Sequence, residues 1–441
     1  MKVLKFGGTS VGNIQNIKSV TKIIVDGEKK IVVLSAMSGT TNTLVEIADA
    51  IKNKDVEIAN KTILLLSKKY RQVVESLFEN STIKQQVTIY VDSIFSKLLQ
   101  ITSKVYNELL YSTIVAQGEL LSTFIFTKYL VQQGVKAQLL PALEFMRIDR
   151  LNEPDNFYIQ QNLNRIISEN LPADIYITQG FICLDADGNI ANLQRGGSDY
   201  SATIIGAAIN ADEVQIWTDI DGMHNNDPRF VENTQAISNL SYEEAAELAY
   251  FGARILHPQT VMPARTANIP VRLKHTMRPE RQGTLINNKV TDEGIKAIAA
   301  KDGITAIKIK SARMLLAYGF LKKVFEIFEK YETPIDMITT SEIAVSLTID
   351  NITFLNAITE ELEKFASVEV DQNQSIICLV GHSIVNHSKT HCLFNVLQDF
   401  SIRMISYGGS ENNISLLVNT KDKIKVLKNL NSYVFENSVI A

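Results

Sequence analysis

The chain has 441 residues, 45% of them hydrophobic and 21% charged, with a net charge of −4. That length exceeds one compact core, so two to four domains are expected. The charge gives no electrostatic reason to expect a nucleic-acid or anionic-membrane partner. Cys183, Cys378 and Cys392 lack any paired spacing, which argues against a disulfide framework or a thiolate metal site and favours buried thiols in a reducing compartment. With no basic segment leading into an apolar one at the start, and no uninterrupted apolar run long enough to span a bilayer, a cytoplasmic location is expected.

Taken in chain order, Val3 and Leu4 open a short buried strand that runs into Lys5-Phe6-Gly7-Gly8-Thr9-Ser10-Val11-Gly12. Glycines let backbone N–H groups approach an anion closely, and Thr9 and Ser10 add hydroxyls. Helix-permissive sequence resumes at Val11, which places a helix N-terminus behind the loop. The stretch reads as a phosphate cradle, although not a Walker A loop, because the lysine precedes the glycines. Ile31 to Ser35 is a second apolar, β-branched run of the kind found in parallel strands, closed by a small, hydroxyl-rich turn through Thr41. Two such strands predict an α/β sheet with a site at its carboxyl edge. Asp55 to Gln133 has helical periodicity and reads as scaffold; Gln117-Gly118-Glu119 interrupts it, and spacing alone makes Glu119 a surface carboxylate.

Asp174 to Gln179 restores sheet character, closed by Gly180-Phe181, and Asp185 to Asn189 reads as a hairpin turn. A second glycine loop follows, Arg195-Gly196-Gly197-Ser198-Asp199, ahead of a small-residue helix at Ala202 to Ala208. Arg195 can hold a carboxylate or phosphate bidentately, and Asp199 can hold a metal ion or orient Lys5. Glu213 to Thr218 is a further strand, followed by turns rich in Asp and Asn at Asp219 to Gly222 and Asn226 to Arg229. Ser241-Tyr-Glu-Glu244 is a capping box opening a helix to Phe251, and Ile269 to Leu273 reads as the last strand of the first domain.

Polar residues at Asn287 to Gly294 mark a boundary, and beyond it the chain repeats itself. Val324 to Phe328 matches Leu393 to Leu397, Ile335 to Ile338 matches Ile402 to Ile405, and Ser346-Leu347 matches Ser415-Leu416. Each copy predicts a ferredoxin-like βαββαβ module without a catalytic constellation, hence a sensor or dimerisation unit. His387 and His391 fall at i, i+4 of an expected helix, without acidic or thiol partners, and read as a surface pair.

Together these pieces resemble aspartokinases. The motifs at Lys5, Gln117, Thr178, Arg195, Trp217, Asn226 and Phe251 fall in that family's order. The resemblance implies an α/β amino acid kinase fold, a three-layer αβα sandwich with a mostly parallel sheet, over residues 1–290. Two ACT modules follow over 295–441, the first about 311–370 and the second about 295–310 with 371–441. It implies ATP and Mg²⁺ as cofactors, L-aspartate as substrate and L-lysine as inhibitor. A homodimer through the modules, or a tetramer, is also implied. Carried over by position, Lys5 and Asp199 would be catalytic, while Gly7, Gly8, Ser10, Thr218, Asp219, His224, Asp227, Arg229 and Arg254 would meet phosphate and nucleotide. Thr41, Glu119, Phe181, Arg195, Gly197 and Ser198 would line the aspartate pocket, with no separate protein metal site. Met314, Phe320, Leu321, Asp336, Ser341 and Glu342 would form the effector pocket. Three positions depart from the family pattern: His224 for tyrosine, Arg254 for lysine and Leu316 for histidine. Rival readings are a same-fold kinase acting on glutamate, N-acetylglutamate or UMP, and an inactive amino-acid sensor.

Overall fold

A computed structural model of the chain describes residues 1–169, 172–193, 196–251, 256–289, 293–311, 318–387 and 390–436. They form two compact units, Met1–Met223 with Leu256–Asn288, and His224–Ile255 with Lys289–Ala441.

The first unit is built on parallel strands: β1 (Lys2–Phe6), β2 (Lys30–Leu34), β3 (Ala137–Leu140), β4 (Ile175–Gln179) and β7 (Val214–Thr218). The strands β5 (Ile182–Leu184) and β6 (Ile190–Asn192) form the expected hairpin, closed where Asn189 accepts from the Asp185 N–H. The segment with β8 (Asn239–Ser241) and helix α9 (Tyr242–Tyr250) belongs to the second unit. The chain then returns through α10 (Pro258–Thr266), β9 (Val271–His275) and β10 (Thr284–Asn287). The order across the first unit is β3-β4-β2-β1-β7-β9-β10. All neighbours are parallel except β10, which runs antiparallel to β9. The first domain therefore does not end at Leu273: Gly283 turns the chain back for one more strand. The sheet's central strands are buried on both faces, which is why they read as unbroken apolar runs.

The predicted helical scaffold is α3 (Val56–Leu77), α4 (Ser81–Ile101), α5 (Glu108–Val115) and α6 (Gln117–Gln132). Its apolar faces join strand residues Leu4, Phe6, Val32 and Leu34 in one core. The stretch Glu108–Gln132 is long and apolar enough to cross a membrane by length and composition, but it is 61% buried within the fold and so belongs to this core.

The second unit carries one antiparallel six-stranded sheet, made of β11 (Gly294–Lys310), β12 (Ile338–Thr340), β13 (Ala344–Ile349), β14 (Ser367–His382), β15 (Ile402–Ser406) and β16 (Asn413–Asn419). Its order, β12-β13-β11-β14-β16-β15, shows how two modules share it. The two long central strands pair with each other along their whole length, and each serves both modules. On one half, Ile307, Ile309, Val345 and Leu347 pack under helices Phe320–Lys330 and Leu355–Glu363. On the other, Ile295, Ile377, Leu379 and Leu416 pack under helix Lys423–Asn431 and the short turn Leu393–Val396. The register slips between Lys301 and Ile304, where the halves meet. His387 lies in a loop and His391 in a 3₁₀ turn, so the two do not share one regular helix.

Candidate active site

Every parallel strand of the first unit delivers its carboxyl end to one edge, and that edge is where the sequence motifs gather. Lys5 sits near the end of β1, opposite Val33 of β2 and Ile216 of β7. Its ammonium reaches Asp199 at 2.6 Å, with only 12% and 15% of the two side chains exposed. The first glycine loop folds tightly: Ser10 N–H donates to the Gly7 carbonyl, and Ser38 N–H to the Gly8 carbonyl. A Cβ on Gly8 would lie 2.8 Å from the Ala36 carbonyl oxygen, so the two hydroxyl-rich turns can meet only if that residue is glycine.

Two details differ from the sequence expectation. Helix α1 (Ile14–Ile24) begins three residues beyond Val11, and the Asn13 side chain caps its N-terminus by accepting from Asn16 N–H. Ser10 is 2% exposed, and its hydroxyl bonds Thr276 at 2.7 Å, a tie across the chain that local sequence does not announce.

The second loop opens α8 (Gly197–Ala208), which starts earlier than the sequence suggested, so Ser198 and Asp199 lie in its first turn. Gly196 holds the left-handed conformation at φ +75°, and among the described residues no side chain caps the helix, which suits its first N–H groups to an anion. Gly197 is required for space as well, since a Cβ there would meet the Phe181 ring at 2.4 Å. Phe181 itself is held at φ +67°, an unusual state for a bulky residue, with its N–H bonded to Ser201 Oγ. Ser35 donates to Ser198 across 3.0 Å, tying the end of β2 to the first turn of α8.

Glu119 corrects the surface reading. It is 3% exposed, and its Oε1 accepts from Ala36 N–H at 3.0 Å while Oε2 is buried without a hydrogen-bond partner among the described residues. Burial pushes its pKa up to about 7, against the pull of the backbone hydrogen bonds. Thr41 is half-buried in the first turn of α2 (Thr40–Lys52), whose neighbouring hydroxyl, Thr40, is spent on Tyr70. At the end of β7, Thr218 bonds the exposed Asp219 at 3.1 Å.

His224, Asp227 and Arg229 fall in the second unit. His224 bonds Thr234, and Arg229 clasps the Asp227 carboxylate with two nitrogens at 3.0 and 2.6 Å. Burial opposes the charge on Asp227, yet the Arg229 bonds hold its carboxyl below the usual range. Arg195, Arg254 and Met314 lie outside the described residues.

Among the expected effector residues, Asp336 is 2% exposed in its side chain, paired with Lys301 at 2.7 Å. Phe320 packs edge-on against Phe365 near the start of its helix, Leu321 is largely exposed beside it, and Ser341 and Glu342 form the exposed turn between β12 and β13. Lys301, Tyr250 and Asp350, which surround Asp336, carried no local sequence signal, because their partners are tens of residues away.

An ammonium held at the carboxyl edge between two glycine turns and an uncapped helix start is suited to drawing phosphate onto an anionic acceptor. Comparison with known proteins agrees: residues 1–275 match the amino acid kinase family, and residues 377–433 match an ACT domain. Over 98% of its length the chain is 34% identical to lysine-sensitive aspartokinase 3 of Escherichia coli, covering 99% of that protein. The structure of E. coli aspartokinase III with aspartate and ADP, its R-state, matches with a TM-score of 0.82 at 32% identity, covering 99% of this chain and 100% of that one. Its T-state complex with lysine and aspartate matches at 0.81 and 33%, covering 99% of both chains. The chain belongs to the aspartokinase family, and it is an aspartate kinase with ACT-type regulation.

Proposed function

We propose that the chain transfers the γ-phosphoryl group of ATP to the side-chain carboxylate of L-aspartate, giving 4-phospho-L-aspartate. This is the opening step toward lysine, threonine and methionine, and L-lysine inhibits it through the ACT modules. The observation that carries the reading is the Lys5–Asp199 pair set between two glycine turns. The aspartate and ADP held by the E. coli relative support it. The acceptor carboxylate is already an anion at neutral pH, so no general base is needed; the obstacle is bringing two anions together. Lys5 lowers that barrier by screening the transferring group, and Asp199 aims the ammonium. The open N–H groups at the start of α8 take oxygen charge, and the seat formed by Ser35, Ser198 and Phe181 fixes the acceptor.

In this reading Glu119 meets the substrate ammonium, and its buried carboxylate, held by Ala36 N–H, supports that role. Among the described residues no group of three ligating side chains could hold a metal alone. Mg²⁺ would come in with the ATP phosphates, with Asp199 as a carboxylate that could help hold it, and the ion would supply further neutralisation of the phosphates. In this reading residues 1–290 are the catalytic part and 295–441 the regulatory part of a cytoplasmic homodimer joined by its ACT modules. An aspartate-dependent ADP-release assay, with and without lysine, tests it. Aspartate-dependent turnover suppressed by lysine is expected; turnover with glutamate or UMP in place of aspartate would overturn the substrate, and indifference to lysine the regulation.

A further inference from the structure

Helix α9 is fastened to the rest of the second unit along one face. Glu244, fully buried, pairs with Lys296 of β11 at 2.9 Å. One turn on, Glu247 accepts from Asn413 of β16. At the helix's last residue, Tyr250 donates its hydroxyl to Asp336 Oδ1 at 2.8 Å. Residues 244, 247 and 250 are three apart, so they share a face. Of these three fastenings only the last lands on an expected effector residue. In the chain α9 stands between Asp219 and Arg254, both expected to meet nucleotide, directly after β8.

Asp336 is already crowded on one side. Oδ1 also takes Lys301 Nζ at 2.7 Å, while Oδ2 is buried with no hydrogen-bond partner among the described residues. Lys301 reaches Asp350 at 2.9 Å as well and lies 4.6 Å from the Tyr250 ring centre. Two carboxylates against one ammonium leave the cluster one negative charge, which is what a ligand ammonium would neutralise.

We propose that Tyr250 is a positioning residue that couples the effector site to α9, because its phenol and the effector draw on the same carboxylate. The proposal rests on the lysine-inhibited reading above and adds how occupancy is felt. A hydrogen bond to an ionised acceptor is stronger than one to a neutralised acceptor. An ammonium settling on Oδ2 therefore weakens the hold of Oδ1 on the phenol, and the end of α9 loosens. Without effector, that end stays fastened. Coupling of this kind acts in both directions: lysine lowers substrate affinity by some factor, and saturating substrates lower lysine affinity by the same factor.

Tyr250→Phe in the full-length enzyme keeps the ring and its packing and removes only the hydroxyl. Kinetics at several lysine concentrations, and calorimetric titration of lysine with and without aspartate and ADP, give the coupling factor from both sides. The variant is expected to keep kcat within about twofold of the wild type and to bind lysine at the same site, but, with the end of α9 already released, to show without lysine the weakened substrate affinity that lysine imposes on the wild type. Its coupling factor is expected to fall at least about fivefold, the lower end of typical coupling strengths. A Tyr250→Phe enzyme with the wild-type coupling factor overturns the inference while leaving lysine regulation standing. A wild-type enzyme that neither binds lysine nor is inhibited by it overturns both.

Discussion

The two units each contain a lysine clasped to a mostly buried aspartate from a distant part of the chain, at nearly the same distance: Lys5–Asp199 at 2.6 Å and Lys301–Asp336 at 2.7 Å. The bond is alike, but its surroundings are opposite. Around Lys5 stand an uncapped helix start and two glycine turns, all of which favour negative charge. Around Lys301 stands a second carboxylate, Asp350, and the aspartate is the more deeply buried partner, 2% exposed against 20%. In the proposed reading the aspartate of the first unit is the support and the lysine the working group, while in the second unit the lysine is the support. An ion pair by itself therefore says little about function. The balance of charge left over after pairing tells which kind of ligand the site awaits.

Removing the working group on each side is the strongest way to break this contrast. Lys5→Ala is expected to lower kcat by at least about 10²-fold, the usual loss for one preorganised electrostatic donor; near-wild-type turnover would show that the pair is only structural. Asp336→Ala is expected to leave kcat within about threefold and to raise the lysine concentration for half-inhibition by at least about tenfold, as loss of a charged hydrogen bond does. Unchanged inhibition would remove Asp336 from the effector site.

Glu119 sharpens the contrast, because it is a buried carboxylate with no ion-pair partner among the described residues. With its pKa raised to about 7, the folded protein keeps the proton between the ordinary carboxylate range and neutrality, whereas the unfolded chain has lost it. Stability contributed by this group consequently falls as pH rises through that window and levels off above it. A substrate ammonium needs the ionised form, so the KM for aspartate is expected to fall about tenfold from pH 6 to pH 8, following the ionised fraction. Glu119→Gln should flatten that slope. A wild-type KM independent of pH over this range would contradict the assignment.

What the sequence disclosed follows the reach of each signal. Glycine loops at Gly7 and Gly196, the capping box at Ser241 and the apolar strand runs depend on neighbouring residues, and all stand in the structure. The repeat between Ile335 and Ile402 was legible for the same reason, and the structure puts both at corresponding edges of one sheet. Glu119 was misread as exposed because burial depends on the packing of α6 against the turn after β2, which local spacing does not encode. The extra strand β10 escaped notice because it is only four residues long. The Ser10–Thr276 bond was not legible because its two residues lie 266 positions apart. The Tyr250–Asp336–Lys301 cluster was invisible for that reason too.

The repeat supplies the smallest and most specific test. Arg403 occupies the position in the second module that Asp336 occupies in the first, and it pairs with Asp371 at 2.8 Å. Lys301 and Asp371 each lie toward the end of the module strand that meets the other half of the sheet. The second module thus carries the same pair with its charges exchanged, and an arginine where the first offers a carboxylate cannot receive an ammonium. Calorimetry is expected to give one lysine bound per chain. Arg403→Ala removes a pair whose side chains are 30% and 44% exposed, so it should cost at most about 1 kcal/mol of stability, the ceiling for solvent-screened pairs. It should also shift half-inhibition by less than about twofold, since a residue that takes no part in effector binding contributes no differential affinity between states. Two lysines per chain, or a loss of inhibition in Arg403→Ala as large as that in Asp336→Ala, would show that the two modules act alike despite their exchanged charges.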